Sequence, residues 1–187
     1  MSKQKKFFGY FLIFLSLMMV GIIGLPQIYS STSSGKIDKN EVIQFDFLKE
    51  EKADIVLIYC GYVGCDTICV PSLTELSSMY KSLDHTKIKV YFLNLLKIID
   101  PDLPNLFATS FDKTFKGIYL NNKQLQRVTK QLNLVYTRSL TDKYELNHSG
   151  YLYVLVKDKD RYRLKYIYTT RPFNQKLIIK DLNNLLK

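Results

Sequence analysis

The sequence predicts an α/β fold: a mixed sheet flanked by helices and preceded by one N-terminal transmembrane helix. Three observations predict it. Two apolar runs of strand character, residues 54–60 and 88–95, stand on either side of a segment with helical periodicity, the pattern of a parallel βαβ unit. Two further strand-like runs near the C-terminus are joined by a charged turn and followed by an amphipathic helix. Ahead of all of these lies an uncharged N-terminal run long enough, as a helix, to cross a bilayer.

That run, Phe7 to Leu25, spans ~28 Å as a helix, close to the ~30 Å hydrocarbon thickness of a membrane. Lys3, Lys5 and Lys6 precede it, and no charge follows until Lys36. Positive residues ahead of an apolar span hold the N-terminus in the cytoplasm. The expected location is therefore an inner membrane, crossed once, with the C-terminal domain in the periplasm or an equivalent extracytoplasmic space. A cleaved signal peptide is the alternative. Its apolar core is usually shorter, about 7–15 residues, and the best small-x-small site here, Ile28-Tyr29-Ser30, opens on a bulky Ile. The expected organisation is an anchor over residues 1–25, a linker over 26–40 opening with the Ser-rich PQIYSSTSSG, and one domain over 41–187.

Within the domain, Asp54 to Cys60 (DIVLIYC) reads as a central strand buried on both faces. A turn from Gly61 to Asp66 leads into Pro71-Ser-Leu-Thr-Glu75, where Pro suits a first helical turn and Ser72-x-x-Glu75 reads as a capping box. Leu73, Leu76, Tyr80 and Leu83 recur behind it at helical spacing. Ile88 to Leu95 is the second buried strand. Asn122 to Leu134, with Leu125, Val128 and Leu132 on one face, is another helix. Tyr151 to Val156 and Tyr162 to Tyr168 form a hairpin around Lys157 to Asp160. In its second strand Arg163 and Lys165 alternate with Tyr162, Leu164 and Tyr166, leaving one face wet. Phe173 to Leu186 closes the chain, with Phe173, Leu177, Ile178, Leu182 and Leu185 inward.

Composition removes several classes. With 187 residues, 47% hydrophobic, and only 8 Gly and 5 Pro, the chain is neither disordered nor collagen-like. Three Cys are too few for a disulfide scaffold and two His too few for an all-imidazole metal site. The net charge of +10 raises the question of an acidic partner. Three of those charges precede the apolar run, and the remaining 24 basic and 17 acidic residues are scattered. Scattered charge on an exported chain argues against nucleic acid.

Cys65-Asp-Thr-Ile-Cys69 lies in the loop between a buried strand and a helix. Backbone N–H groups and the helix dipole favour a thiolate there. A four-residue spacing in a near-helical turn puts both sulfurs on one side, where they can close a disulfide or clamp one soft metal ion. Two sulfurs suit Cu(I), and an added imidazole allows Cu(II) as well. His148, in Glu145-Leu-Asn-His-Ser-Gly150, leads into the strand at Tyr151 and is placed to return over the cysteine loop. His85 lies in a polar turn and reads as solvated. Cys60 reads as a buried apolar thiol, with a third redox partner for Cys65 as its other reading.

The stretch Ile58-Tyr-Cys-Gly-Tyr-Val-Gly-Cys65-Asp-Thr-Ile-Cys69-Val-Pro-Ser-Leu73 resembles the G-F-T-x-C-P-D-x-C-P-x-x-L signature of the Sco/SenC family of copper-binding assembly factors. Asp100-Pro101-Asp102-Leu103-Pro104 is similar to that family's D-P-x-x-D-T-P, and His148-Ser149 to its D-H-S. The resemblance runs in order from about residue 40 to 170 and includes the anchor. It implies a thioredoxin-like fold, copper (Cu(I)/Cu(II)) held by Cys65, Cys69 and His148, and attachment to the membrane by the N-terminal helix. The implied partner is the copper subunit of a respiratory cytochrome oxidase or another copper-accepting protein.

Several neighbours depart from the pattern. Asp66 and Thr67 replace the Pro and Asp of C-P-D-x-C, Val70 replaces the next Pro, and Asn147 replaces the Asp before the histidine. Asp66 and Asn147 are thus candidate outer partners of the ligands, where a change can move affinity about 10- to 100-fold. A second function class is an exported thiol–disulfide oxidoreductase cycling Cys65 and Cys69 without obligatory metal. Against it, the chain has no C-x-x-C, no Trp, and no marked cis-Pro loop facing the pair.

Overall fold

The computed structural model describes residues 7–19, 35–97, 100–140 and 145–187. The chain divides into two units, residues 1–34 and 35–187. In the first, residues 7–19 form helix α1, whose Phe7, Tyr10, Phe14 and Leu17 side chains are exposed. Among the described residues no helix is long and apolar enough to cross a membrane. Residues 20–25 of the expected span and residues 26–34 of the expected linker lie outside the described residues.

The second unit is built on a mixed six-stranded sheet. Its elements are β1 (Lys36–Ile43), β2 (Ile55–Gly61), α2 (Cys69–Tyr80), β3 (Ile88–Asn94), α3 (Leu103–Thr109), β4 (Lys116–Tyr119), α4 (Asn122–Leu132), β5 (Tyr136–Arg138), β6 (Leu146–His148), β7 (Leu152–Asp158), β8 (Arg161–Tyr168) and α5 (Gln175–Leu185). The strand order is β1-β8-β7-β2-β3-β4, with β5 and β6 paired separately. β2 and β3 run parallel, Ile55 opposite Ile88, across the crossover helix α2, as two apolar runs around a helix predict. Every residue of β2 is buried, because β3 and β7 flank it and helices cover the sheet. The face carrying Tyr59, Gly61 and Phe92 meets α2 and α3; Phe92 and Phe107 have ring centroids 5.1 Å apart. On the other face Phe47 covers Tyr91, in the segment that Arg127 of α4 holds through Asp46.

The hairpin β7–β8 forms with its turn at Lys159 and Asp160, Lys159 adopting φ 58°. Three expectations need correction. Residues 36–40, assigned to the linker, belong to β1, which pairs antiparallel with β8. That strand is polar and mostly exposed, so no apolar alternation marks it. The Ser72–Glu75 capping box does not form: α2 begins at Cys69 and has no side-chain cap. Ser72 is buried inside the helix, and Glu75 instead accepts a 2.9 Å hydrogen bond from the Phe173 N–H ahead of α5. The capping box that does form is on α4, between Asn121 and Gln124. Finally, the coarse order βαβ, α, ββ, α lacks α3, β4, β5 and β6, all of seven residues or fewer. Gly117 in β4 lies against the Pro104 backbone, where a Cβ has no room. Close backbone approach of this kind is a common reason for glycine within a strand.

One buried charge ties the lower end of the sheet together. Glu51 has a side chain only 8% exposed and pairs with Lys116 at 3.0 Å, while the Tyr91 hydroxyl donates to it at 2.5 Å. Burial works against the carboxylate, but hydrogen bonds from Tyr91, Lys116 and the Ala53 and Lys52 N–H groups outweigh it and bring its pKa down to about 2. A carboxylate with a depressed folded pKa stabilises the native state above its unfolded pKa and loses that contribution as pH falls through the folded one. We therefore expect roughly 2 kcal/mol of stability to be lost between about pH 4.5 and 2. The urea midpoint of Glu51→Gln will fall less steeply over that window than that of the wild type.

Candidate metal centre

Cys65, Cys69 and His148 converge at the end of β2. Their ligand atoms, two Sγ and one imidazole nitrogen, all lie within 4.8 Å of one another. Nε2 of His148 is 3.4 Å from Cys69 Sγ and 3.8 Å from Cys65 Sγ. The three are 0%, 2% and 8% exposed for Cys69, Cys65 and His148, and neither cysteine is in a disulfide. Sulfur, sulfur and imidazole nitrogen form a soft, three-donor set.

Local structure puts each donor in place. β2 ends at Gly61 and the chain turns, with Cys65 N–H donating to Tyr62 O at 3.2 Å and Val70 N–H to Cys65 O at 3.3 Å. Buried Asn94, at the end of β3, accepts from Val63 N–H at 3.0 Å and donates to the Leu96 carbonyl, so the parallel strand fixes the cysteine loop. Gly61 leaves room for sulfur, since a Cβ there would fall on Cys69 Sγ. His148 ends β6, where Tyr136 of β5 pairs with it. Gly150, at φ +59°, turns the chain back into β7, and its N–H donates to His148 Nδ1 at 3.2 Å. That leaves the neutral ring's hydrogen on Nε2, aimed at the sulfurs. Tyr59 and Tyr62 meet the imidazole edge-on, with centroids at 6.4 and 6.1 Å.

The two thiols are not equivalent. A hydrogen bond from the Cys69 thiol holds the Cys65 pKa far below that of a free thiol, against its burial. His148 and the N–H groups of Cys69 and Ile68 add to the effect, the Cys69 N–H lying 3.4 Å from the sulfur. Giving that hydrogen bond, together with burial and the neighbouring negative charge, raises the Cys69 thiol. The metal-free pair thus holds one thiolate at Cys65 and one thiol at Cys69, poised at the N-terminus of α2.

The remaining candidates fall elsewhere. Cys60 alternates with Tyr59 and Gly61 along β2 and so points to the other face of the sheet. It cannot serve Cys65 as a redox partner, and burial alone drives its pKa up. Asp66 and Asn147 are exposed, and no hydrogen bond joins either to the three donors among the described residues. Asn147 sits between buried Leu146 and His148 on β6, which turns it outward. The side chains that do flank the ligands, Tyr59 and Tyr62, and Asn94, which fixes the cysteine loop, were not singled out from sequence. Their signal was present only in part, as Tyr62 at the aromatic position of the signature. The Arg171–Pro172 peptide bond ahead of α5 is cis.

A mixed sheet of this order, covered by helices, with its donor set at a strand-to-helix turn, defines a thioredoxin-like domain carrying a Cys-Cys-His ligand group. The chain belongs to the SCO1/SenC family, whose model matches residues 48–187. An SCO2-like protein of Rickettsia felis is 31% identical over 142 residues, covering 71% of this chain and 66% of that protein. One from Rickettsia prowazekii is 28% identical over the same length and shares. The match thus spans 66% of these relatives' length. Among solved structures, apo Sco1 from Thermus thermophilus superposes with a TM-score of 0.60 at 18% identity, covering 80% of this chain and 92% of that one. Copper-bound ScoI from Arabidopsis thaliana gives 0.59 at 14%, covering 80% and 98%. At such identities these two establish the fold.

Proposed function

We propose that the protein is a membrane-anchored copper-binding protein that delivers copper to, or helps assemble, the copper centre of a respiratory cytochrome oxidase. The observation that carries this reading is the convergence of Cys65, Cys69 and His148. Two thiolates and an imidazole are the donors that suit Cu(I) and extend to Cu(II). Copper enters as cargo: Cys65 is already a thiolate, Cys69 gives up its proton on loading, the hydrogen on His148 Nε2 passes to Nδ1 so that Nε2 can coordinate, and release follows exchange with a partner offering more thiolates. Two solved structures in the same family hold copper by their descriptions, from Arabidopsis thaliana and from yeast. A third is described as a member of the Sco family of cytochrome c oxidase assembly proteins. The exposed apolar side chains of α1 and the lysines before it support a single-pass anchor with the domain on the extracytoplasmic side.

A second reading, an exported thiol–disulfide oxidoreductase, is favoured by the same thiolate–thiol pair, since Cys65 has the state of an attacking nucleophile. The test is a Cu(I) titration of the reduced full-length protein in detergent against a competing chelator, paired with insulin reduction by the metal-free protein. One tightly held Cu(I) per chain with negligible insulin reduction is expected. Turnover of insulin without tight copper binding would install the oxidoreductase in its place.

A further inference from the structure

Tyr59 is fully buried, yet its hydroxyl has no hydrogen-bond partner among the described residues. Such a group is unfavourable unless some state of the protein supplies a partner. The position of the ring indicates which state. Tyr59 and Gly61 share one face of β2, and a Cβ built on Gly61 would meet both Cys69 Sγ and, at 3.6 Å, Tyr59 Cε1. The sulfur and the phenol edge therefore flank the same bare Cα. Across the site the ring is held edge-on to His148, at 83°, and to Phe173, at 86°. The groups that act on the hydroxyl are Cys69, Ser72, Arg171 and Cys65, Ser72 lying near it without hydrogen-bond geometry.

We propose that Tyr59 is a positioning residue for the metal-loaded site, its hydroxyl donating a hydrogen bond to the Cys69 sulfur when copper replaces the thiol hydrogen. In the metal-free pair, Cys69 carries its own hydrogen and is a weak acceptor. Bound as a thiolate it gains negative charge, and a charged acceptor makes the stronger hydrogen bond. The bond stabilises the buried negative charge on sulfur, which favours the loaded site, and lowers the energy of the sulfur donor orbital, which sets the charge-transfer band. This assignment rests on the copper reading above.

The test is Tyr59→Phe in the full-length protein, which keeps the ring and its packing and removes only the oxygen. Tyr153→Phe is the control. Tyr153 is opposite Ile58 and so lies on the other face of the sheet, and its hydroxyl is also buried and unpartnered. Loss of the hydrogen bond is expected to move the sulfur-to-Cu(II) charge-transfer band to longer wavelength and to weaken Cu(I) binding about 10-fold. Tyr153→Phe and Ser72→Ala should leave the band in place. An unmoved band and unchanged affinity in Tyr59→Phe, with a normal wild-type band, overturn the assignment alone. A band shifted equally by Ser72→Ala overturns it too, since the hydroxyl would then act through Ser72. A wild-type protein that binds no copper overturns the copper reading and this assignment with it.

Discussion

Replacing Cys65 or Cys69 by Ser will lower Cu(I) affinity by about 100-fold or more, whereas His148→Ala will lower it about 10-fold and abolish the Cu(II) form. The difference follows from ligand chemistry. Cu(I) is soft and is held adequately by two thiolates, so losing either sulfur removes half of the dominant donor set. Cu(II) needs the harder nitrogen, and His148 Nε2 is the one imidazole nitrogen within reach of both sulfurs among the described residues. The cysteine variants also differ from each other in the metal-free protein. Cys65→Ser removes the thiolate that the Cys69 thiol serves as donor, returning Cys69 toward an ordinary buried thiol. Cys69→Ser leaves Cys65 with a hydroxyl donor and a largely preserved thiolate. Chelator competition measures the affinities, and the ultraviolet absorbance of thiolate separates the two serine variants at neutral pH. Equal Cu(I) and Cu(II) binding by His148→Ala and wild type would remove the histidine from the site.

The second large effect is expected from a residue that touches no metal. Gly61→Ala should destabilise the domain by about 2 kcal/mol, or roughly 5 °C in Tm, and displace copper from the site. The added methyl falls on Cys69 Sγ and comes within 3.1 Å of Phe92 Cε2. Neither neighbour yields readily: Cys69 is the first residue of α2, and the Phe92 ring is packed against Phe107. Gly61 does not have a positive φ, so the penalty is steric and backbone strain contributes little. Gly64→Ala provides the contrast. It sits at φ +93° with open space around its Cα, so that variant suffers backbone strain without displacing Cys69. Thermal unfolding and copper stoichiometry, measured on both, separate the two effects. A Gly61→Ala protein of wild-type stability that retains its copper would show the sulfur free to move.

The parts of this architecture that could be read from the chain are those with strong local patterns. β2, β3 and β7 are runs of buried apolar residues, and α4 and α5 show helical spacing, so periodicity finds them. β1 and β4 are an exposed edge strand and a four-residue strand, held by pairing to neighbours with no pattern of their own. The misplaced cap has the same origin. Ser72-x-x-Glu75 fits the capping template, but the buried turn at Cys65 starts the helix at Cys69 and commits Glu75 to Phe173. Asp66 and Asn147 looked like outer partners because they stand next to ligands in sequence. In a strand or turn, adjacent side chains diverge, and the rings that meet His148 come from Tyr59 of β2 and Tyr62 in the turn after it.

The sequence by itself determined the cysteine pair, its place at a strand-to-helix turn and the candidate histidine, because spacing and local chemistry are properties of a few neighbouring residues. Only the tertiary structure decided that His148 lies 3.4 Å from a sulfur 79 positions away, that Cys60 faces the wrong side, and that Tyr59 and Gly61 shape the space around Cys69. Those are consequences of strand register and side-chain alternation, which turn a one-residue difference into the opposite face of the sheet.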